Sequence, residues 1–303
     1  MPTSRTTSIF FHGDTDGCCC AAMVCDLLQR EGTPFELHPL EADFSGDFVG
    51  DIFLDLGGVR KANVHPNTIV VDHHPQDKLP CRQFNPRLRG KDWPASYECF
   101  LNFGRDEVCW IGAVGCVGDS QPNASLEERV KKRFGKVDLQ KASFMIEAYR
   151  SKNGTASMGL VVEKLLAYRE NPNGFCSDPE FMGVYEEVEK EIKRILASNV
   201  ERDGKMLVVK FASPYAIKSQ LSNIFMKKYP DKVVLMAQQG GGGYRISLRQ
   251  EVQVVDFSAI MPSLIKGLDA SGGGHPKASG AAVSNDDFPE FYRRLKDALR
   301  AGR

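Results

Sequence analysis

The sequence lacks an excess of charge of either sign. Its 303 residues include 39 Lys and Arg and 39 Asp and Glu, so the formal net charge at pH 7 is zero. It also lacks any uninterrupted apolar stretch near the roughly 18 residues that a membrane helix needs. Proteins that coat long nucleic acid are usually markedly basic, and disordered chains hold fewer apolar residues than the 42% found here. We therefore expect a globular protein that binds neither long nucleic acid nor a membrane.

Paired cysteine motifs are also missing. Three of the nine cysteines are consecutive, Cys18 to Cys20, and no two are spaced as C-x-x-C. Such an arrangement fits neither a disulfide framework nor a structural zinc site. The N-terminal MPTSRTTSIFF has no long apolar segment followed by a cleavage site, so we expect no secretory signal. These features predict reduced, small apolar cysteines in a cytoplasmic protein.

The zero net charge hides a gradient along the chain. Residues 1–100 carry 9 basic and 14 acidic groups, a net of −5, and residues 101–200 have a net of −1. Residues 201–303 carry 16 basic and 10 acidic groups, a net of +6. This gradient is compatible with an acidic metal site in the N-terminal part and an anion-binding site in the C-terminal part.

The length suggests two domains, and the pattern of the first 200 residues predicts an α/β domain. Short apolar runs alternate with amphipathic segments, which is typical of βαβ units around a mostly parallel sheet flanked by helices. Strands are expected at 8–11, 35–37, 51–54 and 68–71, and helices at 18–30, 95–103, 108–117, 130–150, 157–170 and 185–200.

The composition changes near residue 200, where strand-like segments return at 206–211, 233–238 and 244–248. The run Gly240–Gly243 between the last two is expected to form a hairpin tip. We predict a catalytic domain at 1–185, a helical linker at 186–202 and a smaller α/β domain at 203–303.

Three of the predicted strands end in acidic or imidazole side chains. H-G-D-T-D-G at 12–17 follows the first strand, Asp55 ends the third, and Asp72-His73-His74 follows the fourth. In an open α/β sheet the ligand crevice lies beyond the carboxyl ends of the strands. These groups are therefore expected to meet at one rim of the sheet.

The convergent groups resemble the ligands of a metal centre. Clustered carboxylates repel one another unless a cation lies between them. The set combines carboxylate and imidazole ligands without a thiolate, which favours Mn²⁺ or Mg²⁺ over structural zinc. Two metal ions need about this number of ligands, with one shared carboxylate. The candidates are His12, Asp14, Asp16, Asp55, His73 and Asp119.

Two motifs near the C-terminus suggest anion binding. On a strand, Arg245, Ser247 and Arg249 of R-I-S-L-R point to one face, and a forked guanidinium suits a phosphate. The consecutive glycines Gly272, Gly273 and Gly274 before His275 let backbone N–H groups approach an anion closely. Each motif alone is also compatible with an exposed strand or a flexible turn.

Taken together, these motifs resemble the DHH phosphoesterases that carry the first type of DHH-associated domain. The matching segments follow the family's order and span nearly the whole chain. The spacing of the first motif, H-x-D-x-D, is similar to that of the RecJ exonucleases. The segments are H-G-D-T-D-G at 12–17, Asp55, D-H-H at 72–74, G-D-S at 118–120, R-I-S-L-R at 245–249 and G-G-G-H-P-K-A-S-G at 272–280.

The resemblance implies a larger N-terminal domain holding two Mn²⁺ ions, with Mg²⁺ or Co²⁺ as substitutes, and catalysis in a cleft between the domains. It implies that His12 and Asp14 bind one metal ion and that Asp16, His73 and Asp119 bind the other. It gives Asp55 the bridging position and directs His74 to the substrate phosphate. Ser247, Arg249, Gly272, Gly273, Gly274 and His275 are then expected to contact the substrate.

The resemblance favours a Mn²⁺-dependent phosphodiesterase that converts short oligonucleotides or linear dinucleotides such as pGpG to mononucleotides. A cyclic-dinucleotide phosphodiesterase using the same site is the first alternative. A pyrophosphatase or exopolyphosphatase, and a nucleotide-binding protein without activity, are further alternatives. The helical middle of the chain leaves room for a homodimer.

Overall fold

The computed structural model describes residues 5–41, 46, 48–198 and 200–301. The chain divides into two compact units, residues 1–186 and 187–303, with the division inside one helix, Pro179–Leu196.

The N-terminal unit is built on a five-stranded, entirely parallel sheet. The strand order is β2-β1-β3-β4-β5, so the direction of winding reverses between β1 and β3. Ligands of such sheets bind at the carboxyl ends of the strands beside this reversal. The strands are β1 (Thr7–His12), β2 (Phe35–Leu40), β3 (Ile52–Leu54), β4 (Ile69–Val71) and β5 (Arg82–Phe84).

The three central strands end level with one another. Phe11 of β1 pairs with Leu54 of β3, and Leu54 pairs with Val71 of β4. All three side chains are fully buried, which anchors the strand ends in the core. The next residues along each strand therefore emerge side by side at one rim.

Helices enclose this sheet and pack on one another. Helix α1 contacts β1, α2, α3 and α6, and its consecutive cysteines are completely buried and free of disulfides, as predicted. The helices are α1 (Thr15–Arg30), α2 (Ala95–Phe103), α3 (Cys109–Gly118), α4 (Ala124–Phe134), α5 (Leu139–Asn153), α6 (Met158–Ala167), α7 (Pro172–Phe175) and α8 (Pro179–Leu196).

One predicted helix is wrong. The segment 130–150 is two helices, α4 and α5, because Gly135 ends α4 with a φ of 73°. Asp138 then starts α5 by accepting a hydrogen bond from the N–H of Lys141. A positive φ at a glycine followed by an N-capping aspartate is a strong stop and restart signal.

The C-terminal unit contains a six-stranded mixed sheet in the order β10-β11-β9-β8-β7-β6, in which only the β7–β8 pair is parallel. The predicted hairpin tip joins β8 to β9, with φ of 62° at Gly241 and 82° at Gly242. The elements are β6 (Glu201–Asp203), β7 (Met206–Ala212), α9 (Lys218–Lys228), β8 (Val233–Gly240), β9 (Gly243–Gln250), α10 (Phe257–Ile265), β10 (Ala270–His275), β11 (Ala278–Ser284) and α11 (Phe288–Ala301).

The two faces of this second sheet differ. One face carries the main core of the unit, where Ile246 and Leu248 of β9 pack with residues of α10 and α11. Side chains alternate along a strand, so Arg245, Ser247 and Arg249 lie on the opposite face. Helix α9 packs against β8 and β9. The predicted fold class, an α/β unit with a parallel sheet followed by a smaller α/β unit, is confirmed.

Among the described residues, no helix combines the length and the apolar character required to cross a bilayer.

Candidate metal centre and anion-binding surface

The level strand ends bring histidine and aspartate side chains together. Nδ1 of His12 lies 3.1 Å from Oδ2 of Asp14 and 3.3 Å from Oδ2 of Asp55. Nε2 of His73 lies 3.4 Å from Oδ1 of the same Asp55. These contacts join the ends of β1, β3 and β4, as the sequence pattern predicts.

Two sets of side chains in the described part of the chain have the geometry of a metal site. One contains His12, Asp14 and Asp55, and the other contains Asp55, His73 and His74. The potential ligand atoms of each set lie within 4.8 Å of one another. Asp55 is common to both sets, which is the position expected of a carboxylate shared by two metal ions.

Asp55 occupies a strained and buried position. Its φ is 57°, in the left-handed region that a non-glycine residue rarely adopts. Its side chain is only 2% exposed, and Oδ1 has no hydrogen-bond partner in the described structure. Buried carboxylate oxygens normally have a partner. A strained backbone and an unsatisfied oxygen at one residue indicate a functional role. A divalent cation would give this oxygen the partner that it lacks.

Asp14 connects this cluster to helix α1. Its side chain caps the helix by accepting a hydrogen bond from the N–H of Gly17 at 3.0 Å. Burial opposes its charged form, but nearby His12, the Gly17 N–H and Arg150 outweigh burial and hold the pKa of Asp14 below its usual value. Asp14 is therefore an anionic ligand candidate at the positive end of a helix.

Asp16 lies next to the cluster with its carboxylate already engaged. Oδ2 accepts the N–H of Ala95 at 2.9 Å, and Oδ1 accepts the N–H of Ser96 at 3.1 Å, both at the start of α2. Burial and then the charges of Asp55, Asp14 and Asp119 raise its pKa well above the usual value. The hydrogen bonds orient Asp16, while each oxygen keeps a lone pair for a cation.

His73 and Asp119 extend the cluster on its other side. Nδ1 of His73 is buried, has no hydrogen-bond partner in the described structure, and lies 3.8 Å from Oδ2 of Asp119. Burial favours neutral His73, but the Asp55 carboxylate outweighs it and raises the pKa to about 9. Burial also raises the pKa of Asp119 to about 6.

His74 is held differently from its neighbour. Its Nδ1 lies 2.8 Å from Oδ1 of Asp72, a carboxylate with no exposed surface. This hydrogen bond is the largest of the effects that raise the pKa of His74. The ring is 42% exposed. Since Nδ1 is engaged, Nε2 is the nitrogen available to a substrate.

Two glycines allow this close packing. A side chain at Gly17 would place its Cβ 2.1 Å from the carbonyl oxygen of His12. A side chain at Gly57 would place its Cβ 2.8 Å from Cβ of His74. Both distances are shorter than real Cβ contacts, so glycine is required where α1 approaches β1 and where the segment after β3 approaches His74.

Two residues of α5 support the cluster and carry no motif that could reveal them. Glu147 accepts the N–H and the hydroxyl of Thr15, at 3.1 and 3.0 Å through Oε1, and its Oε2 accepts from Arg150 at 3.0 Å. Arg150 also lowers the pKa of Asp14. The sequence separation from Thr15 to Glu147 is 132 residues, so only tertiary folding reveals the contact.

The side chains predicted to bind an anion in the C-terminal unit, those of Ser247, Arg249 and His275, lie on one face of its sheet. Arg249 pairs with Ala278 of β11, and Ala278 pairs with His275 of β10. Directly paired residues of antiparallel strands share a face, so Arg249 and His275 flank a small alanine. Ser247 shares this face, but it is only 1% exposed and its hydroxyl has no described partner.

The glycines before His275 form half of edge strand β10 rather than a flexible turn. All three are exposed. A Cβ at Gly273 would meet nothing within 4 Å, whereas Gly274 has a φ of 144° and a Cβ there would lie 2.5 Å from the carbonyl oxygen of Ala278. The strand therefore exposes main-chain atoms that no side chain covers, beside His275.

Comparison with known proteins identifies the C-terminal unit. Residues 203–301 match the DHHA1 domain family. No curated protein sequence matches the chain significantly.

Solved structures resemble the whole chain at low identity. A structure of the exonuclease RecJ bound to manganese is 16% identical, with a TM-score of 0.68, covering 98% of this chain and 90% of RecJ. The pGpG-specific phosphodiesterase PggH from Vibrio cholerae is 14% identical, with a TM-score of 0.67, covering 98% of this chain and all of PggH.

RecJ from Thermus thermophilus in complex with Mn²⁺ is 16% identical, with a TM-score of 0.65, covering 98% of this chain and 52% of that protein. The likeness in fold extends over both units, the DHHA1 match covers the second, and the D-H-H and associated motifs are present in the first. Residues 203–301 are therefore a member of the DHHA1 domain family, and the chain as a whole has the same fold as these RecJ and PggH structures.

Proposed function

We propose that this protein is a Mn²⁺-dependent phosphodiesterase that hydrolyses short oligonucleotides or linear dinucleotides such as pGpG to mononucleotides. The observation that carries the proposal is the position of Asp55. Its buried carboxylate, of which Oδ1 has no hydrogen-bond partner in the described structure, belongs to two sets of potential ligands at the ends of neighbouring strands.

The residues at this rim fit two divalent cations. His12 and Asp14 would hold one and Asp16, His73 and Asp119 the other, with Asp55 shared between them. The unpartnered Nδ1 of His73 and Oδ1 of Asp55 are the atoms that most clearly need a cation. Solved RecJ structures contain Mn²⁺ or Mg²⁺, so either ion suits the same family of sites.

When bound, such a metal pair activates water and stabilises negative charge on the phosphoryl oxygens. The protein side chains supply orientation. The Asp16 carboxylate is fixed by two N–H groups of α2, and the His74 ring is fixed by Asp72. His74 Nε2 is then free to donate a hydrogen bond to the substrate phosphate, and correct placement of such a donor contributes directly to the rate.

The C-terminal unit supplies groups suited to a small anionic substrate. Arg249 is half-buried and its guanidinium donates to the carbonyl oxygens of Leu248 and Ser279, at 3.0 and 3.4 Å. The exposed glycine backbone and His275 lie on the same sheet. PggH, which has a similar fold, is a pGpG-specific phosphodiesterase, and the balanced charge of this chain suits a short substrate better than a long one.

A cyclic-dinucleotide phosphodiesterase is the second candidate, since it would use the same metal ligands and the same basic residues.

A turnover panel distinguishes these substrates. Purified protein with Mn²⁺ is incubated with pGpG, cyclic di-GMP, cyclic di-AMP, pAp, a longer RNA and pyrophosphate, and products are separated by ion-exchange chromatography. We expect pGpG to be converted to two molecules of GMP fastest. Faster cleavage of a cyclic dinucleotide or of pyrophosphate would replace the proposed substrate, and no turnover of any compound would contradict the phosphodiesterase.

Metal binding should also stabilise the N-terminal unit. Saturating a site at about 100 times its dissociation constant adds about 2.7 kcal/mol to the free energy of unfolding. This corresponds to a rise in melting temperature of roughly 5 °C or more. We expect Mn²⁺ to raise the melting temperature of the wild-type protein, measured by calorimetry. Addition of EDTA should reverse this rise. An equal rise in Asp55→Asn would show that the ion binds elsewhere.

A further inference from the structure

Helix α9 places a lysine against the strand that bears Arg249. Nζ of Lys218, the first residue of α9, donates a hydrogen bond to the carbonyl oxygen of Ile246 at 3.0 Å. Ile246 is the second residue of R-I-S-L-R, between Arg245 and Ser247. The ammonium group is therefore in contact with the backbone of the strand that carries both arginines.

Within the part of the chain that the structure describes, these cations have no carboxylate to neutralise them. Lys218 and Arg249 are half-buried, and they donate hydrogen bonds to main-chain carbonyl oxygens. Neither they nor Arg245 form an ion pair with a carboxylate among the residues that the structure describes. Elsewhere in the unit, partly buried lysines such as Lys296 do have an acidic partner. Desolvated cations without a counterion are costly, and an anion from solution removes that cost.

The surplus of positive charge makes Lys218 easier to deprotonate. Burial, followed by the positive charges of Arg249 and Arg245, lowers its pKa to about 8. Neighbouring strands β8 (VVLMAQQG) and β11 (ASGAAVS) contain no titratable side chain that could compensate. Lys218 is thus partly unprotonated at mildly alkaline pH, and a bound anion would restore its proton.

The sheet beside the cations has room for a ligand. Ala278 and Gly280 of β11 lie directly opposite Arg249 and Ser247. A Cβ at Gly280 would have only the carbonyl oxygen of Ile246 nearby, at 3.6 Å, and one at Gly273 in the next strand would meet nothing. Between Arg249 and β10, the surface of β11 therefore carries only small side chains and is open to a ligand.

We propose that Lys218 binds the terminal phosphomonoester of a linear nucleotide together with Arg249. The inference depends on the proposed function only for its choice of a nucleotide as the ligand. A phosphomonoester carries close to two negative charges at neutral pH, which match one lysine and one arginine. The diester groups of a cyclic dinucleotide carry one charge each. The pair of cations therefore favours linear substrates with a terminal phosphate.

Binding of 5′-GMP, the product expected from pGpG, tests this role without measuring turnover. The full-length protein is titrated with 5′-GMP by calorimetry at pH 8.5 in EDTA, in two buffers of different ionisation enthalpy. At this pH the second proton of the phosphate, with a pKa of about 6, is already lost. The phosphate therefore contributes no change in protonation of its own, and the part of the proton uptake that Lys218 contributes is the part lost in its variants.

We expect the wild-type protein to take up to about three-quarters of a proton per 5′-GMP, since a group of pKa about 8 is that fraction unprotonated at pH 8.5. Lys218→Met should bind 5′-GMP roughly 10- to 100-fold more weakly, the effect of losing a charge-assisted hydrogen bond, and should lose the proton uptake. Lys218→Arg should retain binding but not the uptake, because arginine stays protonated.

The matched control is Lys227→Met, which removes an exposed lysine from the other end of α9. It should behave as the wild type. Cyclic 3′,5′-GMP is a diester. Its affinity should differ less between the wild type and Lys218→Met than the affinity of 5′-GMP does.

Three results would overturn the inference: no binding of 5′-GMP by the wild type, no proton uptake, or wild-type affinity in Lys218→Met. If Lys218→Met does not fold, as judged by its melting temperature, weak binding by a folded Lys218→Arg would equally contradict it. Failure of the proposed function is a separate result. If the protein binds 5′-GMP through Lys218 but cleaves no compound in the turnover panel, the binding site is supported and the proposed phosphodiesterase activity is contradicted.

Discussion

Replacing Asp55 with asparagine should lower turnover of the preferred dinucleotide by at least about 10³-fold, because one change removes the carboxylate charge from both candidate metal sites. The loss should appear in kcat rather than in KM. Metal analysis by mass spectrometry should show fewer than the two Mn²⁺ ions per chain expected for the wild type. Both measurements use the full-length protein.

Asparagine is a better test than alanine at this position because of the backbone. Asp55 has a φ of 57°, and asparagine tolerates the left-handed region, whereas alanine would add conformational strain. Asp55→Asn should therefore fold normally, and its inactivity would reflect the missing charge.

Asp51→Asn is the matched control. Asp51 precedes the same strand, β3, at its opposite end, where its carboxylate accepts hydrogen bonds from the N–H and hydroxyl of Ser8. An amide oxygen can accept the same bonds, so the variant should keep full turnover and both metal ions. Wild-type activity in Asp55→Asn would contradict the shared metal ligand.

The rim of the first sheet could be predicted from sequence because its signal is local. Each of β1, β3 and β4 is a short apolar run that ends in a polar ligand candidate, and parallel strands direct their carboxyl ends to one side. Two features of this rim appear only in the structure. Level pairing of Phe11, Leu54 and Val71 makes these ends adjacent, and the positive φ of Asp55 cannot be inferred from its residue type.

Other features depend on contacts between distant parts of the chain. Glu147 and Arg150 lie on a helix without a recognisable motif, and Lys218 begins another. Their importance appears only when α5 meets Thr15 and α9 meets β9. Likewise, G-G-G-H is a poor strand sequence by propensity, but all four of its residues pair with β11, which makes it part of a strand. Tertiary hydrogen bonding overrides local preference there.

Replacing Arg249 with methionine should raise the KM for a linear dinucleotide roughly 10- to 100-fold, the cost of removing charge-assisted hydrogen bonds to phosphate. Methionine keeps most of the apolar volume of the half-buried side chain, so the sheet should remain intact. Arg249 is in the C-terminal unit and contributes no potential metal ligand, so two Mn²⁺ ions should still bind. Steady-state kinetics and metal analysis together separate these effects.

Arg249→Lys and Lys227→Met complete this test. Lysine preserves the charge at 249 but not the planar fork of donors, so Arg249→Lys should recover only part of the lost affinity. Lys227→Met lowers the net charge of the same unit equally and should leave KM unchanged, which distinguishes a specific contact from a general effect of the basic C-terminal third. An unchanged KM in Arg249→Met would remove Arg249 from the substrate site, and equal increases in Arg249→Met and Lys227→Met would assign the attraction to the field of the whole unit.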